Sequence, residues 1–86
     1  MRFIFGRNFL KSAELLPASI KRKLAKSLDL LEVNPYHPLL HTKKLMGPLT
    51  GLFSLRITRE WRTLFYFKDH ETILLLEIQK RKDVYR

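Results

Sequence analysis

Apolar and polar positions follow two rhythms along this chain, helical in the first half and alternating in the second. Arg2 to Arg7 is short and apolar-rich, which predicts a first strand. Asn8 is a candidate N-cap, with Phe9, Ala13 and Leu16 recurring behind it at helical spacing. That helix stops at Leu16, because the residue before a proline is pushed out of helical geometry. Pro17 itself suits the first turn of a second helix. Ile20, Leu24, Leu28 and Leu31 then form an apolar stripe, and Lys21, Arg22, Lys23 and Lys26 lie mostly off it. Asn34-Pro35 ends the helix, and a loop with proline and histidine runs to about Thr42.

Gly47-Pro48 and Gly51 punctuate the change of period. Phe53, Leu55 and Ile57 alternate with Ser54, Arg56 and Thr58, the pattern of a half-buried strand. Arg59-Glu60 makes a tight connection to a strand from Trp61 to Phe67. Asp69-His70 marks a second turn, and Thr72 to Lys80 a further strand. The order β-α-α-β-β-β predicts one small α+β domain over residues 1–86. Its sheet is antiparallel, mixed at the first strand, with an N-terminal helical hairpin packed on one face. Alternation sends Phe53, Leu55, Ile57, Trp61, Thr63, Phe65, Phe67, Leu74, Leu76 and Ile78 beneath the helices. It sends Arg56, Arg62, Tyr66, Glu77, Gln79 and Arg81 to the opposite face, provided each strand keeps its register.

Composition narrows the class. A chain of 86 residues has room for one core, and a hydrophobic content of 45% excludes a disordered chain. The absence of cysteine excludes a disulfide framework and cysteine-based zinc sites, and fits a cytosolic (cytoplasmic) setting. No apolar run approaches the roughly 20 residues that span a bilayer, and the stretch MRFIFGRNFL is too short for a secretory leader. Charge changes the picture most. A net charge of +9 and a pI near 10.3 draw the chain toward polyanions, nucleic acid first and an acidic protein partner second.

The chemistry follows from the polar sheet face. Arginine offers a planar fork of donors and stays charged when partly desolvated, which suits a phosphate backbone. Arginine at exposed strand positions also serves solubility and edge protection. What favours phosphate is that Arg56, Arg62 and Arg81 fall on the same face in separate strands. Tyr85 is their natural companion, able to stack on a base, bond a ribose or move a proton. A tyrosine acts as a base only where cations favour its phenolate, and Lys80, Arg81, Lys82 and Arg86 are in position to do so. With Lys43 and Lys44 they also form the candidate RNA-binding set. His37 and His41 are four apart, but Pro35 and Pro38 break any helix there and no third ligand accompanies them, so no metal site is expected. His41 remains a candidate loop acid or base. Glu60 and Glu77 read as ion-pair partners of nearby arginines, and Trp61 as core.

The ordered series Lys44-Leu45-x-Gly47, the strand Leu52 to Ile57, Trp61-Arg62 with Leu64-Phe65-Tyr66, and Arg81-Lys82-Asp83-Val84-Tyr85 resembles the RelE/ParE superfamily of type II toxins. Phe3 to Leu16, the basic helix and Asn34-Pro35 extend the likeness over nearly the whole chain. The resemblance implies a messenger RNA interferase: a ribosome-dependent endoribonuclease that inhibits translation by cleaving messenger RNA in the A site, without metal or cofactor. It implies three partners or substrates, namely a cognate antitoxin forming a hetero-oligomer, the 70S ribosome and messenger RNA. It also places Arg56 and Arg62 on transition-state charge, Arg81 on the phosphate or leaving oxygen, and Tyr85 in orientation or proton transfer. Ser54 stands where some members carry a further lysine, and the C-terminal histidine of another branch is missing. Those departures either leave the base unsupplied or shift that role to Tyr85 or His41. Another branch of the superfamily poisons DNA gyrase and has no nuclease site. A gyrase inhibitor and a catalytically silent nucleic-acid-binding module are therefore the alternative readings.

Overall fold

The protein is described by a computed structural model over residues 1–80. Its elements are β1 (Arg2–Phe5), α1 (Arg7–Glu14), α2 (Ala18–Val33), β2 (Lys43–Lys44), β3 (Phe53–Arg56), β4 (Trp61–Asp69) and β5 (Thr72–Lys80). Short 3₁₀ turns at Pro38–Leu40 and Gly47–Leu49 flank β2. The sheet runs β1-β5-β4-β3-β2. Only β1 is parallel to its neighbour, and the remaining pairs are antiparallel. This is the expected α+β fold, an open mixed sheet with helices following the first strand.

The first helix starts earlier than its sequence suggested. Gly6, not Asn8, is the N-cap. The chain turns from β1 into α1 against the backbone of β5, where Gly6 N–H donates to the Leu75 carbonyl at 2.8 Å. A Cβ on residue 6 would lie 2.8 Å from that same oxygen. Close approach, rather than any side-chain cap, therefore selects the residue here. Helix α1 ends at Glu14 with Leu15 as its C-cap, short of the expected stop at Leu16. Pro17 is the N-cap of α2 rather than part of its first turn, whereas α2 ends at Asn34 as proline geometry predicts.

Phe9, Leu16, Leu24, Leu31 and Leu40 pack from the helical side onto Leu55, Ile57, Phe65, Ile73, Leu75 and Ile78. Ile20 and Leu28 complete the α2 stripe, while Lys21, Arg22, Lys23 and Lys26 are exposed. Phe53, Phe65 and Phe67 form an aromatic cluster within the core face, with centroids 5.2 to 5.7 Å apart, and Tyr36 stacks on Phe67 from outside.

Strand β5 corrects the predicted face assignment. Leu64 pairs with Glu77, but Phe65 pairs with Leu75, so Leu76 is an extra residue in a β-bulge. Before the bulge the inward positions are Ile73 and Leu75, and after it Ile78. Leu74 and Leu76 were expected beneath the helices, yet neither joins the core. Leu74 instead lies in a row with Ile4 and Tyr66 on the outer face. An apolar run such as Ile73 to Leu76 carries no alternation, so nothing in it announces a one-residue shift. Strand β2 was also unforeseen, since two residues are too short to show a period.

Candidate functional site

The outer face of the sheet is built in rows. Arg56 pairs with Arg62, and Arg62 with Gln79, in one row across β3, β4 and β5. The next row is Ser54, Leu64 and Glu77, with Lys43 of β2 opposite Ser54. Residues paired across strands project from the same face. Hence Lys43, Ser54, Arg56 and Arg62 share one surface, opposite the helices.

Local chemistry explains the placement. Leu55, Ile57 and Thr63 are buried, which drives their neighbours Arg56 and Arg62 outward by simple alternation. The β3–β4 turn locks that register. Ile57 and Thr58 N–H both donate to the Trp61 carbonyl, at 3.0 and 3.2 Å, and the Thr58 hydroxyl accepts from the Glu60 and Trp61 amides at 3.2 Å. Because Ile57 bonds Trp61, Arg56 and Arg62 are the adjacent non-hydrogen-bonded pair, in which opposed side chains stand closest.

A cleft opens at this end of the sheet, lined by His41, Lys43, Ser54, Leu55, Arg56, Thr58, Arg59, Trp61 and Arg62. Four of these side chains are cations, and no carboxylate is among them. Among the described residues such a lining attracts an anion, so a phosphodiester fits it chemically. Ser54 is nearly buried, at 4% exposure, beside the exposed Lys43. An ammonium therefore stands next to the strand position where a lysine was missing, supplied by the neighbouring strand.

The remaining candidates divide. Lys44 pairs with Phe53, a core-face residue, so it projects away from Arg56 and Arg62. Lys80 pairs with Trp61, and its Nζ lies 5.3 Å from the centre of the indole ring, a cation–π contact on the core side of the sheet edge. Lys80 is thereby separated from the arginine row. Arg81, Lys82, Tyr85 and Arg86 lie outside the described residues. Trp61 is half-buried against the core, as expected, and also edges the cleft. Glu77, expected beside an arginine, accepts a hydrogen bond from the Gln79 amide. His37 caps the turn at Pro38–Leu40, its Nδ1 accepting from the Leu39 amide at 3.1 Å. Arg59 joins the cleft although it reads in sequence only as a turn residue; its place beside two arginine-bearing strands was the available signal.

Further along the outer face, Ile4, Leu74 and Tyr66 form an apolar row, bordered by Arg2 and Thr72 on one side and by Leu64 and Glu77 on the other. Among the described residues no group of histidine and carboxylate side chains is placed to hold a metal ion. No described helix is long and apolar enough to cross a membrane.

No protein-family model matches the chain, and no curated protein matches it. Solved structures do. A YoeB/ParE toxin from Agrobacterium tumefaciens superimposes with a TM-score of 0.81 at 18% identity, covering 94% of this chain and 99% of that one. The archaeal RelE–RelB complex from Pyrococcus horikoshii matches with a TM-score of 0.75 at 26% identity, over 93% of each chain. The toxin–antitoxin complex RelBE2 from Mycobacterium tuberculosis gives a TM-score of 0.66 at 27% identity, over 93% of this chain and 96% of that one. The mixed sheet order, the helical pair after β1 and the arginine-bearing β3–β4 hairpin thus sit on a scaffold common to these proteins. In fold, the chain is similar to solved toxins of the RelE/ParE superfamily.

Proposed function

We propose that this protein is the toxin of a type II toxin–antitoxin pair and inhibits translation as a ribosome-dependent endoribonuclease. The observation that carries the reading is the opposed pair Arg56 and Arg62 in a cleft whose described lining holds four cations and no carboxylate. In the reaction, a ribose 2′-oxygen attacks the adjacent phosphorus and the bond to the 5′-oxygen breaks, leaving a 2′,3′-cyclic phosphate and a 5′-hydroxyl. Negative charge grows on the non-bridging oxygens as the attack proceeds. Arg56 and Arg62 are placed to offset it, and preorganised donors of this kind act most strongly in the transition state. Lys43 and Arg59 hold the flanking phosphates. Arg81 assists the leaving oxygen and Tyr85 orients the ribose or moves a proton, by their match to the superfamily's C-terminal pair.

The partner is a cognate antitoxin. Complexes of a toxin with its antitoxin are known for YoeB–YefM from Staphylococcus aureus, a heterotetramer, and for RelE–RelB from Pyrococcus horikoshii. A net charge of +9 favours an acidic segment in the inhibitor. The printed name of the Agrobacterium neighbour joins YoeB with ParE, so gyrase inhibition is the second reading. Inducing the protein in cells while mapping messenger RNA 5′ ends and DNA breaks in parallel separates the two. Cleavages in frame near the start of messages support the endoribonuclease. Double-strand DNA breaks with intact messages overturn it.

A further inference from the structure

We propose that His41 is the general base of the cleft, accepting the 2′-hydroxyl proton during cleavage. This rests on the endoribonuclease reading above. His41 adopts the left-handed conformation, with φ 48° and ψ 44°. It is the one non-glycine with positive φ among the described residues. Residues other than glycine seldom take that region, histidine more readily than most, and residues held there gather at functional sites.

This conformation is held in place from both sides. Leu40, immediately before, is fully buried in the core. Lys43, two residues after, is registered against Ser54. Between them the Thr42 hydroxyl donates to the Pro35 carbonyl at 2.6 Å, and the His41 amide to the Pro38 carbonyl at 3.3 Å. The loop therefore sets His41 at the wall of the cleft through its backbone.

Chemistry selects it from the lining. Among the described residues, Lys43, Arg56, Arg59 and Arg62 are the charged groups that line the cleft beside it, and each is a cation with no lone pair to offer. Ser54 and Thr58 are hydroxyls and weak bases. An imidazole exchanges its proton near neutral pH and, when neutral, presents a nitrogen lone pair. The other histidines are elsewhere, His37 capping its own turn and His70 at the β4–β5 turn, at the opposite end of β4 from Trp61. In the step itself, the imidazole nitrogen takes the 2′-hydroxyl proton as the oxygen bonds to phosphorus. The bond to the 5′-oxygen breaks, that oxygen takes a proton from a separate donor or water, and the imidazolium later returns its proton to water.

The test is single-turnover cleavage on ribosomes programmed with messenger RNA, measured across pH for the wild type, His41→Asn and His41→Gly. Both replacements accommodate a positive φ, so the fold is kept, and thermal melts check it. Ribosome binding is expected to persist while cleavage slows about a hundredfold or more, in the range of general-base loss. The fall in rate toward acid pH should vanish in both variants, and free imidazole should restore part of the His41→Gly rate. His41→Asn cleaving at the wild-type rate with the wild-type pH profile overturns the proposal and leaves the endoribonuclease reading standing. A wild-type protein that cleaves no message but breaks DNA through gyrase overturns both.

Discussion

Arg56 and Arg62 face each other directly across β3 and β4, like charges in the pair geometry that brings side chains closest. Directly opposed like charges destabilise a sheet. Arg56 is exposed, and the core residues on either side of each arginine fix both in place. An anion lying between them would offset that cost. Arg56→Gln is therefore expected to melt at or above the wild-type temperature while losing about a hundredfold in cleavage rate. Arg62→Ala should likewise relieve growth arrest on induction. Melts and single-turnover rates on the same preparations check both halves.

Lys43 and Lys44 are neighbours in sequence but project from opposite faces of the sheet, one beside Ser54 and the other beside Phe53. Lys43→Ala should weaken RNA binding and flatten its dependence on salt by about one counterion per lost contact. Lys44→Ala should leave both unchanged. Equal effects from the two would show that register does not govern the interface. Fluorescence anisotropy with a short labelled RNA at several salt concentrations makes the comparison.

Gly6 is held against β5 with no space for a side chain, 2.8 Å from the Leu75 carbonyl at the Cβ position. Its φ of −65° is ordinary, so the obstacle is contact rather than backbone conformation. Gly6→Ala should push α1 and β5 apart and cost about 1–3 kcal/mol, typical of overpacking. Urea unfolding measures it.

Thr63 is fully buried between Leu55 and Ile78, and its hydroxyl has no hydrogen-bond partner among the described residues. An unsatisfied buried hydroxyl costs on the order of 1–3 kcal/mol. Thr63→Val replaces it with a methyl of nearly the same shape and should raise stability by about 1 kcal/mol. Cleavage activity should stay unchanged, because Thr63 faces the core.

The β4–β5 turn carries a weak pH dependence. The Glu71 amide donates to Asp69 Oδ1 at 2.8 Å and holds the Asp69 carboxyl below its ordinary value. A lowered folded value means that the unfolded chain takes up this proton first as pH falls. The stabilisation is thus present above the ordinary carboxylate range and is lost as pH drops through the folded value. Asp69 is solvent-exposed, so the effect is small. Asp69→Asn keeps an acceptor but does not titrate, and its stability should vary less than the wild type's below about pH 4. Unfolding curves at stepped acid pH test this.

By itself, the sequence determined the element order and the outward arginines of the β3–β4 hairpin. Both are local consequences: proline geometry ends α2, and strict alternation in a tightly turned hairpin leaves one register that buries Leu55, Ile57 and Thr63. Only the tertiary structure decided the rest, because it depends on pairings between distant segments. The bulge at Leu76 moved Leu74 outward within an apolar run that looks uniform along the chain. Packing of β5 against the start of α1 made Gly6 the cap instead of Asn8. Docking of Leu40 and pairing of Lys43 with Ser54 carried His41 to the cleft. Periodicity reports which side of an element is buried. Which residues of different elements meet is set by closing the chain around one core.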